Sequence, residues 1–146
     1  MKIRKMTIED YAAVYELWMS CVGLGLNNLD DSEEGINKFL ERNPETCFVA
    51  EDNNQIIGVI IVGNDGRRGY IYHTAVRPEF RKQGIAHQLV ESALEALKQC
   101  GINKVALVVF DKNQDGNLFW EKLGFTQRDD LIYRNKTIVE MIRIDT

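Results

Sequence analysis

A short glycine-containing turn, between a strand-like segment and a long amphipathic segment, constrains the fold most. The turn reads RKQGIA and comprises residues 81–86. The preceding YIYHTAV is rich in β-branched and aromatic residues, which is typical of a strand, and Pro78 ends that run. After the turn, apolar residues recur at helical spacing from Gly84 to Cys100, and Gly101 is a typical helix stop. A strand, a turn and a helix in this order predict a layered α/β fold.

The same turn has features of an anion-binding site. The first N–H groups of a helix lack intrahelical acceptors and lie at the positive end of the helix dipole. Gly84 allows an anion close to the backbone, Ala86 is small, and Arg81 and Lys82 add positive charge. The hexapeptide alone leaves two interpretations open, a solvated basic turn and a cradle for an anion.

The remaining segments give the order of elements. Asn53 and Asn54 join two β-branched runs as a hairpin, while Thr7 with Asp10, and Ser32, are typical helix N-caps. The predicted order is βααβββαβαββ. Strands are expected at 2–6, 46–52, 55–63, 70–76, 104–110, 131–135 and 137–144, and helices at 8–22, 32–42, 84–100 and 113–124.

Composition bounds the class of protein. A chain of 146 residues has the length of one domain, residues 1–146, and its net charge of −4 argues against a basic nucleic-acid-binding face. No apolar leader and no run of about 18 apolar residues is present, so we expect neither export nor a membrane span and place the protein in the cytoplasm. Three dispersed cysteines and two histidines predict no structural metal site.

Two motifs resemble those of the GCN5-related N-acetyltransferases (GNAT family). Arg81, Gly84 and Ala86 match the family pattern R/Q-x-x-G-x-G/A, and NQDGNLFWEKLGF is similar to its later motif N-x-x-A-x-x-F-Y-x-x-x-G-F. Within the family, GNDGRRG and the following segment are most similar to the YpeA type of bacterial acetyltransferase. The resemblance implies a single GNAT domain whose central mixed, twisted sheet has about six to seven strands, flanked by about four helices.

The resemblance also implies acetyl-CoA as the cofactor. The backbone from Gln83 through Ile85 to Ala86, with the Arg81 and Lys82 segment, would hold the CoA pyrophosphate. Ala75 and Val76 would bind the pantetheine arm as an added strand, with Asn113 and Trp120 facing it from the later motif.

The implied reaction transfers acetyl from the thioester to a primary amine, which needs a base. His73 is the first candidate and Glu51 a weaker one. The family's usual tyrosine, which protonates the departing thiolate, is replaced by Trp120, and Tyr72 or Tyr133 could substitute as the acid. The alternatives are packing in or beside a strand for His73, a solvated hairpin end for Glu51, and core or surface packing for Tyr72 and Tyr133.

The acceptor is less constrained, since the resemblance implies only an amine of a small molecule or a protein. Acidic residues around the loop at residues 23–31 would attract a cationic amine, although Glu33 and Glu34 also suit a helix start. Trp120 leaves a second hypothesis open, a non-catalytic acetyl-CoA sensor, and an interaction domain is a third. Apolar residues in the last two segments could support a homodimer.

Overall fold

A computed structural model describes residues 1–145 and contains a five-stranded sheet with helices on both faces. The strands are β1 (Lys2–Lys5), β2 (Phe48–Asp52), β3 (Gln55–Asn64), β4 (Gly69–Val76) and β5 (Val105–Leu107). The helices are α1 (Tyr11–Met19), α2 (Glu33–Arg42), α3 (Ile85–Gln99) and α4 (Gln114–Lys122), with short 3₁₀ turns at Ile8–Asp10 and Pro78–Phe80.

The sheet is mixed, as expected. Its order is β1-β2-β3-β4-β5, with antiparallel pairing up to β4 and parallel pairing between β4 and β5. One apolar cluster packs α1 and α2 against one face of the sheet, and a second packs α3 against the other. The second of these layers places the C-terminal end of β4 beside the N-terminal end of α3.

Local signals explain most element ends. Asn53 and Asn54 both have positive φ, as the tight hairpin between β2 and β3 requires. Ser32 Oγ accepts a hydrogen bond from the Gly35 N–H, which caps α2. The Asp10 carboxylate accepts a hydrogen bond from the Thr7 N–H at 2.9 Å. The predicted capping contact between these two residues is therefore present, although the first turn is a 3₁₀ helix.

The C-terminal part differs from the prediction of six to seven strands. Residues 131–135 and 137–144 form no strand, and the order observed within residues 1–145 is βααβββαβα. The chain from Ile142 to Ile144 instead makes backbone hydrogen bonds with Leu26 and Asn28 in the loop after α1. Alternating apolar residues form a strand only beside a partner, and this segment bonds to a loop.

The strand β5 is also shorter than the predicted 104–110. Its ladder with β4 contains three residue pairs, ending at Ile71 and Leu107, and Val108 and Phe110 beyond it are half exposed. Ala106 within β5 is exposed as well, while Val105 and Leu107 are half-buried, so this short strand is covered on one face. None of the helices in residues 1–145 is both long and apolar enough to cross a bilayer.

Candidate active site

The turn before α3 forms a concave surface of backbone donors. Gly84 is the N-cap of α3 with φ of +80°, and Lys82 also has a positive φ, +63°. Gln83 between them has no positive φ, and such an alternation of left-handed and ordinary residues turns successive N–H groups toward one point, as in anion-binding nests. Within residues 1–145, no backbone acceptor bonds the N–H groups of Lys82, Gln83 or Gly84. The donors at this turn, with those of Ile85 and Ala86, therefore fit a pyrophosphate.

The Arg81 side chain lies against the end of β4. Its Nε donates to the Val76 carbonyl at 3.2 Å, and Nη2 lies 3.5 Å from Cys21 Sγ. The guanidinium thus ties the turn to the strand end and to the end of α1. Arg81 shapes the cradle as well as adding positive charge to it.

Strands β4 and β5 separate next to this turn. Pairing between β4 and β5 ends at Ile71, so the part of β4 up to Val76 lacks a neighbour on that edge. The Arg77 N–H donates to Ile57 of β3 at 2.8 Å, and strand alternation therefore directs the polar groups of Val76 toward the gap. Ala75 pairs with Val59, and its backbone is directed toward β3. The gap can accept a ligand that pairs with Val76.

Helix α4 lies on the α3 side of this gap. Asn113 is its N-cap, with Oδ1 accepting from the Gly116 N–H at 2.9 Å, which leaves the Asn113 amide as a donor. Trp120 packs edge-on against Phe119 and Phe125, with ring centroids 5.0 and 5.1 Å away. It is half-buried in the α3-side cluster, so its indole helps to fix α4.

A bulge in β4 brings Tyr72 and His73 to the same face of the sheet. The ladder with β3 shifts between Ile60 and Val62, so that two residues of β4 lie opposite one residue of β3. His73 contacts Trp18 of α1 edge-on at 5.2 Å, and Tyr72 contacts Phe39 of α2. The bulge therefore places both side chains under α1 and α2.

His73 is paired with a buried carboxylate. Its Nε2 lies 2.7 Å from Asp31 Oδ1, and the two side chains are 13% and 6% exposed. The other carboxylate oxygen accepts from the Asn27 N–H at 2.8 Å, and Tyr11 Oη donates to the Asp31 carbonyl at 2.7 Å. With Nε2–H donated to Asp31, His73 Nδ1 is free to accept a proton.

Sequence reasoning named His73 but missed this pairing. The two residues are 42 positions apart, and Asp31 stands in a loop with other acids, so no local pattern identifies it as the partner. Glu51 lies elsewhere in the structure. Its Oε1 accepts from Arg4 Nε at 3.2 Å on β2, two strands from β4.

Three tyrosines gather on the face that carries His73. Tyr70 and Tyr72 have ring centroids 4.6 Å apart, and Tyr133 lies beside them. Burial, followed by the neighbouring Tyr133 and Tyr72, raises the pKa of Tyr70 to about 12. Burial, with Asp30 and Tyr133, raises the pKa of Tyr72. The phenols of Tyr70 and Tyr72 therefore stay neutral near pH 7, and Tyr133 is grouped with these two tyrosines.

Comparisons with known proteins identify the family and the fold. Residues 11–125 match the family described as Acetyltransferase (GNAT) family. The chain is 35% identical over 140 residues to an acetyltransferase of Pectobacterium atrosepticum, covering 96% of this chain and 97% of that protein. It is 34% identical over 142 residues to an acetyltransferase of Photorhabdus laumondii, covering 96% and 98%.

Two solved structures share the fold. The PaiA N-acetyltransferase from Thermoplasma acidophilum in complex with coenzyme A superposes with a TM-score of 0.74 at 22% identity, covering 88% of this chain and 91% of that chain. An aminoglycoside N-acetyltransferase bound to a bisubstrate analogue gives 0.72 at 20% identity, covering 93% and 97%.

Proposed function

This chain belongs to the GNAT family of acetyltransferases and uses acetyl-CoA, and from that premise we propose that it acetylates a primary amine with His73 as the general base. The observation that carries the proposal is the 2.7 Å contact between His73 and the buried Asp31. A histidine held by a carboxylate beside an open strand edge is the arrangement that proton removal from an amine needs.

The chemistry sets the tasks of these residues. Acetyl-CoA supplies the acetyl group as an activated thioester. An amine with a pKa of about 10.4 is only about one part in a thousand neutral near pH 7.4, so a proton must be removed. His73 Nδ1 would take one proton from the ammonium group. The neutral nitrogen would then form a bond to the acetyl carbon as the carbon–sulfur bond breaks, and the second proton that the nitrogen loses would pass to the released sulfur, giving the amide and the free thiol. Asp31 then stabilises the imidazolium through Nε2.

The cofactor-binding roles extend the same proposal. The N–H groups from Lys82 to Ala86 would hold the pyrophosphate, and the Val76 N–H would pair with the pantetheine arm and polarise the thioester carbonyl. Ala75, Asn113 and Trp120 would form the walls of the gap. The assignment is supported by the nest at the start of α3 and by the divergence of β4 and β5.

Tyr133 is the proposed acid for the departing sulfur, although a large contribution is not required. A thiol with a pKa of about 8.5 can leave as the thiolate without protonation. We therefore expect Tyr133→Phe to lower kcat by less than about tenfold, well below the factor of 10² or more typical of an essential acid.

The direct test is the release of free thiol from acetyl-CoA across a panel of amines. Wild type should turn over at least one amine, and His73→Ala should lower kcat by about 10² to 10⁴ while CoA affinity stays within about twofold. Unchanged turnover in His73→Ala would remove the histidine from the mechanism.

Trp120 at the usual tyrosine position favours a second function, an acetyl-CoA sensor without catalysis. This hypothesis predicts that CoA binds but no amine is acetylated, and that Trp120→Tyr brings no gain on any acceptor. Measurable wild-type turnover would exclude it.

The proposal also covers the extent of the domain, its location and its oligomeric state. We take residues 1–146 as one domain acting in the cytoplasm, on an amine of a small molecule or a protein. Exposed apolar side chains beyond α4 suit a homodimer; they include Leu131, Ile132, Ile138, Val139 and Ile142. Light scattering at a series of protein concentrations tests the dimer, since a mass of one chain throughout would refute it.

A further inference from the structure

The tyrosine cluster beside His73 is partly exposed to solvent. Tyr72 is 53% exposed and Tyr133 is 64% exposed, although both belong to a cluster packed against the sheet. The ring centroids of Phe39 and Tyr72 are 5.7 Å apart with the planes at 87°, and those of Tyr70 and Tyr72 are 4.6 Å apart. The Tyr72 ring is therefore held in place while part of it faces solvent.

A carboxylate lies at the edge of this cluster. Asp31, which follows Asp30 in the chain, contacts His73, which follows Tyr72, so Asp30 lies near Tyr72, and its charge helps to raise the pKa of that phenol. Asp30 is held in turn, because its Oδ2 accepts from Asn27 Nδ2 at 3.1 Å. In the described part of the chain, no lysine or arginine forms an ion pair with Asp30 or stacks on a ring of the cluster. Ring faces and a carboxylate without a counter-ion form a surface that attracts a cation.

The amine that reacts cannot be that cation, because it must be neutral when it attacks. Resting on the proposed function, we infer that the acceptor is a small diamine or polyamine. One amino group reacts beside His73, and a second, still protonated, lies over Tyr72 and Tyr133 next to Asp30. The bulge in β4 sets the spacing, since Tyr72 and His73 are consecutive residues on one face and their Cα atoms lie about 3.8 Å apart. A short alkyl spacer between two amino groups covers that distance.

The test compares two amines of matched length, 1,4-diaminobutane and n-butylamine, with the full-length chain and acetyl-CoA. Wild type should favour the diamine by about tenfold or more in kcat/KM, the size expected for one cation–π contact with a carboxylate. Equal kcat/KM for the two amines would overturn the inference.

Variants test which residues cause the preference for the diamine. Tyr72→Leu and Asp30→Asn should each raise KM for the diamine several-fold, with little change for butylamine. Tyr72→Phe keeps the ring and should retain the preference. Glu34→Gln removes a nearby exposed charge outside the cluster and should also retain it. Loss of rate on both amines alike in Tyr72→Leu would assign the ring a structural role and refute the inference.

Calorimetry separates this inference from the proposed function. If neither amine is acetylated, the proposed activity fails, and binding of 1,4-diaminobutane in the presence of CoA then decides the matter. The cation surface is supported independently of catalysis if 1,4-diaminobutane binds at least tenfold more tightly than butylamine and if Asp30→Asn abolishes this difference. Equal binding of the two amines refutes it.

Discussion

His73 and Asp31 meet through a 2.7 Å contact between Nε2 and Oδ1, although one lies on β4 and the other just before α2. The contact depends on two separate features, the bulge that turns His73 toward α1 and the Asn27 N–H that fixes the second oxygen of Asp31. An imidazole held this way has one nitrogen left for the proposed role as base.

Replacing Asp31 by asparagine should therefore disorient the base without removing it. We expect Asp31→Asn to lower kcat by about tenfold to a hundredfold, less than His73→Ala, because the imidazole remains but its tautomer is no longer fixed. Thiol release measures the rate, and thermal stabilisation by CoA should be unchanged. Added imidazole should partly restore His73→Ala and leave Asp31→Asn unaffected. Equal rates for Asp31→Asn and wild type would contradict this role.

The cradle before α3 depends on the positive φ of Gly84. A Cβ at this position has no atom within 4 Å, so Gly84→Ala strains only the backbone, by roughly 1 kcal/mol. The strain moves the N–H groups that would hold the pyrophosphate. A ligand at 100 times its Kd adds about 2.7 kcal/mol to wild-type stability, and we expect most of this gain to be lost in the variant.

Gly101 offers a matched control at the other end of the same helix. Its φ is +81° and a Cβ there is equally free of contacts, so Gly101→Ala carries the same backbone cost. Melting temperature with and without CoA should show full ligand stabilisation in this control. The cradle assignment fails if both variants respond to CoA like wild type.

The sequence was most informative where a short stretch carried the signal. The RKQGIA turn, the periodicity of α3 and the Asn53-Asn54 hairpin all depend on local geometry, and each is present as expected. The pairing of His73 with Asp31 and the grouping of Tyr133 with Tyr70 depend on how distant segments pack. No local pattern encodes such contacts.

The last two predicted strands show a different limit. Their alternation of apolar and polar residues satisfies the strand pattern, yet Ile138 is 98% exposed and Ile142 bonds to Asn28 in a loop. Alternation predicts a segment that can pair, but a strand forms only where an edge is available. In the described chain, β5 pairs with β4 through three residues, and the ladder does not extend beyond them.

Asp10 should make stability depend on pH. Burial would raise its pKa, but hydrogen bonds from Arg4 and from the Thr7 N–H outweigh that effect and lower it. A lowered pKa stabilises the fold above the unfolded value of about 3.9, and this stabilisation is lost as the pH falls through the folded value. Asp10→Asn should cost roughly 2 kcal/mol at pH 7 and progressively less below pH ~4.

Denaturant unfolding at pH 7 and pH 3 measures that difference. Asp129→Asn removes an exposed carboxylate with no resolved partner in residues 1–145 and should track wild type at both pH values. A gap between Asp10→Asn and wild type that stays constant down to pH 3 would show that the carboxylate charge is not its source.

Asp145 anchors the loop that leads to Asp31. Its Oδ2 accepts from the N–H groups of Leu24 and Gly25, both at 3.0 Å, and its Oδ1 accepts from that of Leu26 at 2.9 Å. Burial would raise the pKa of this carboxyl, but these bonds and Arg143 lower it, so the group is ionised near pH 7. An amide in its place offers one acceptor oxygen and no charge.

Asp145→Asn should therefore loosen this loop and leave the cofactor cradle intact. We expect amide exchange at Leu24 to Leu26 to quicken by about tenfold or more, since each charged acceptor contributes about 1.5 kcal/mol or more to holding an N–H. KM for the amine should rise while stabilisation by CoA stays at the wild-type level, because the loop leads to Asp31 and not to Gly84. Arg143→Gln removes a half-exposed partner of the same carboxylate and should have a smaller effect on exchange. Unaltered exchange in Asp145→Asn would mean that the backbone bonds of Asn28 and Leu26 hold the loop without the carboxylate.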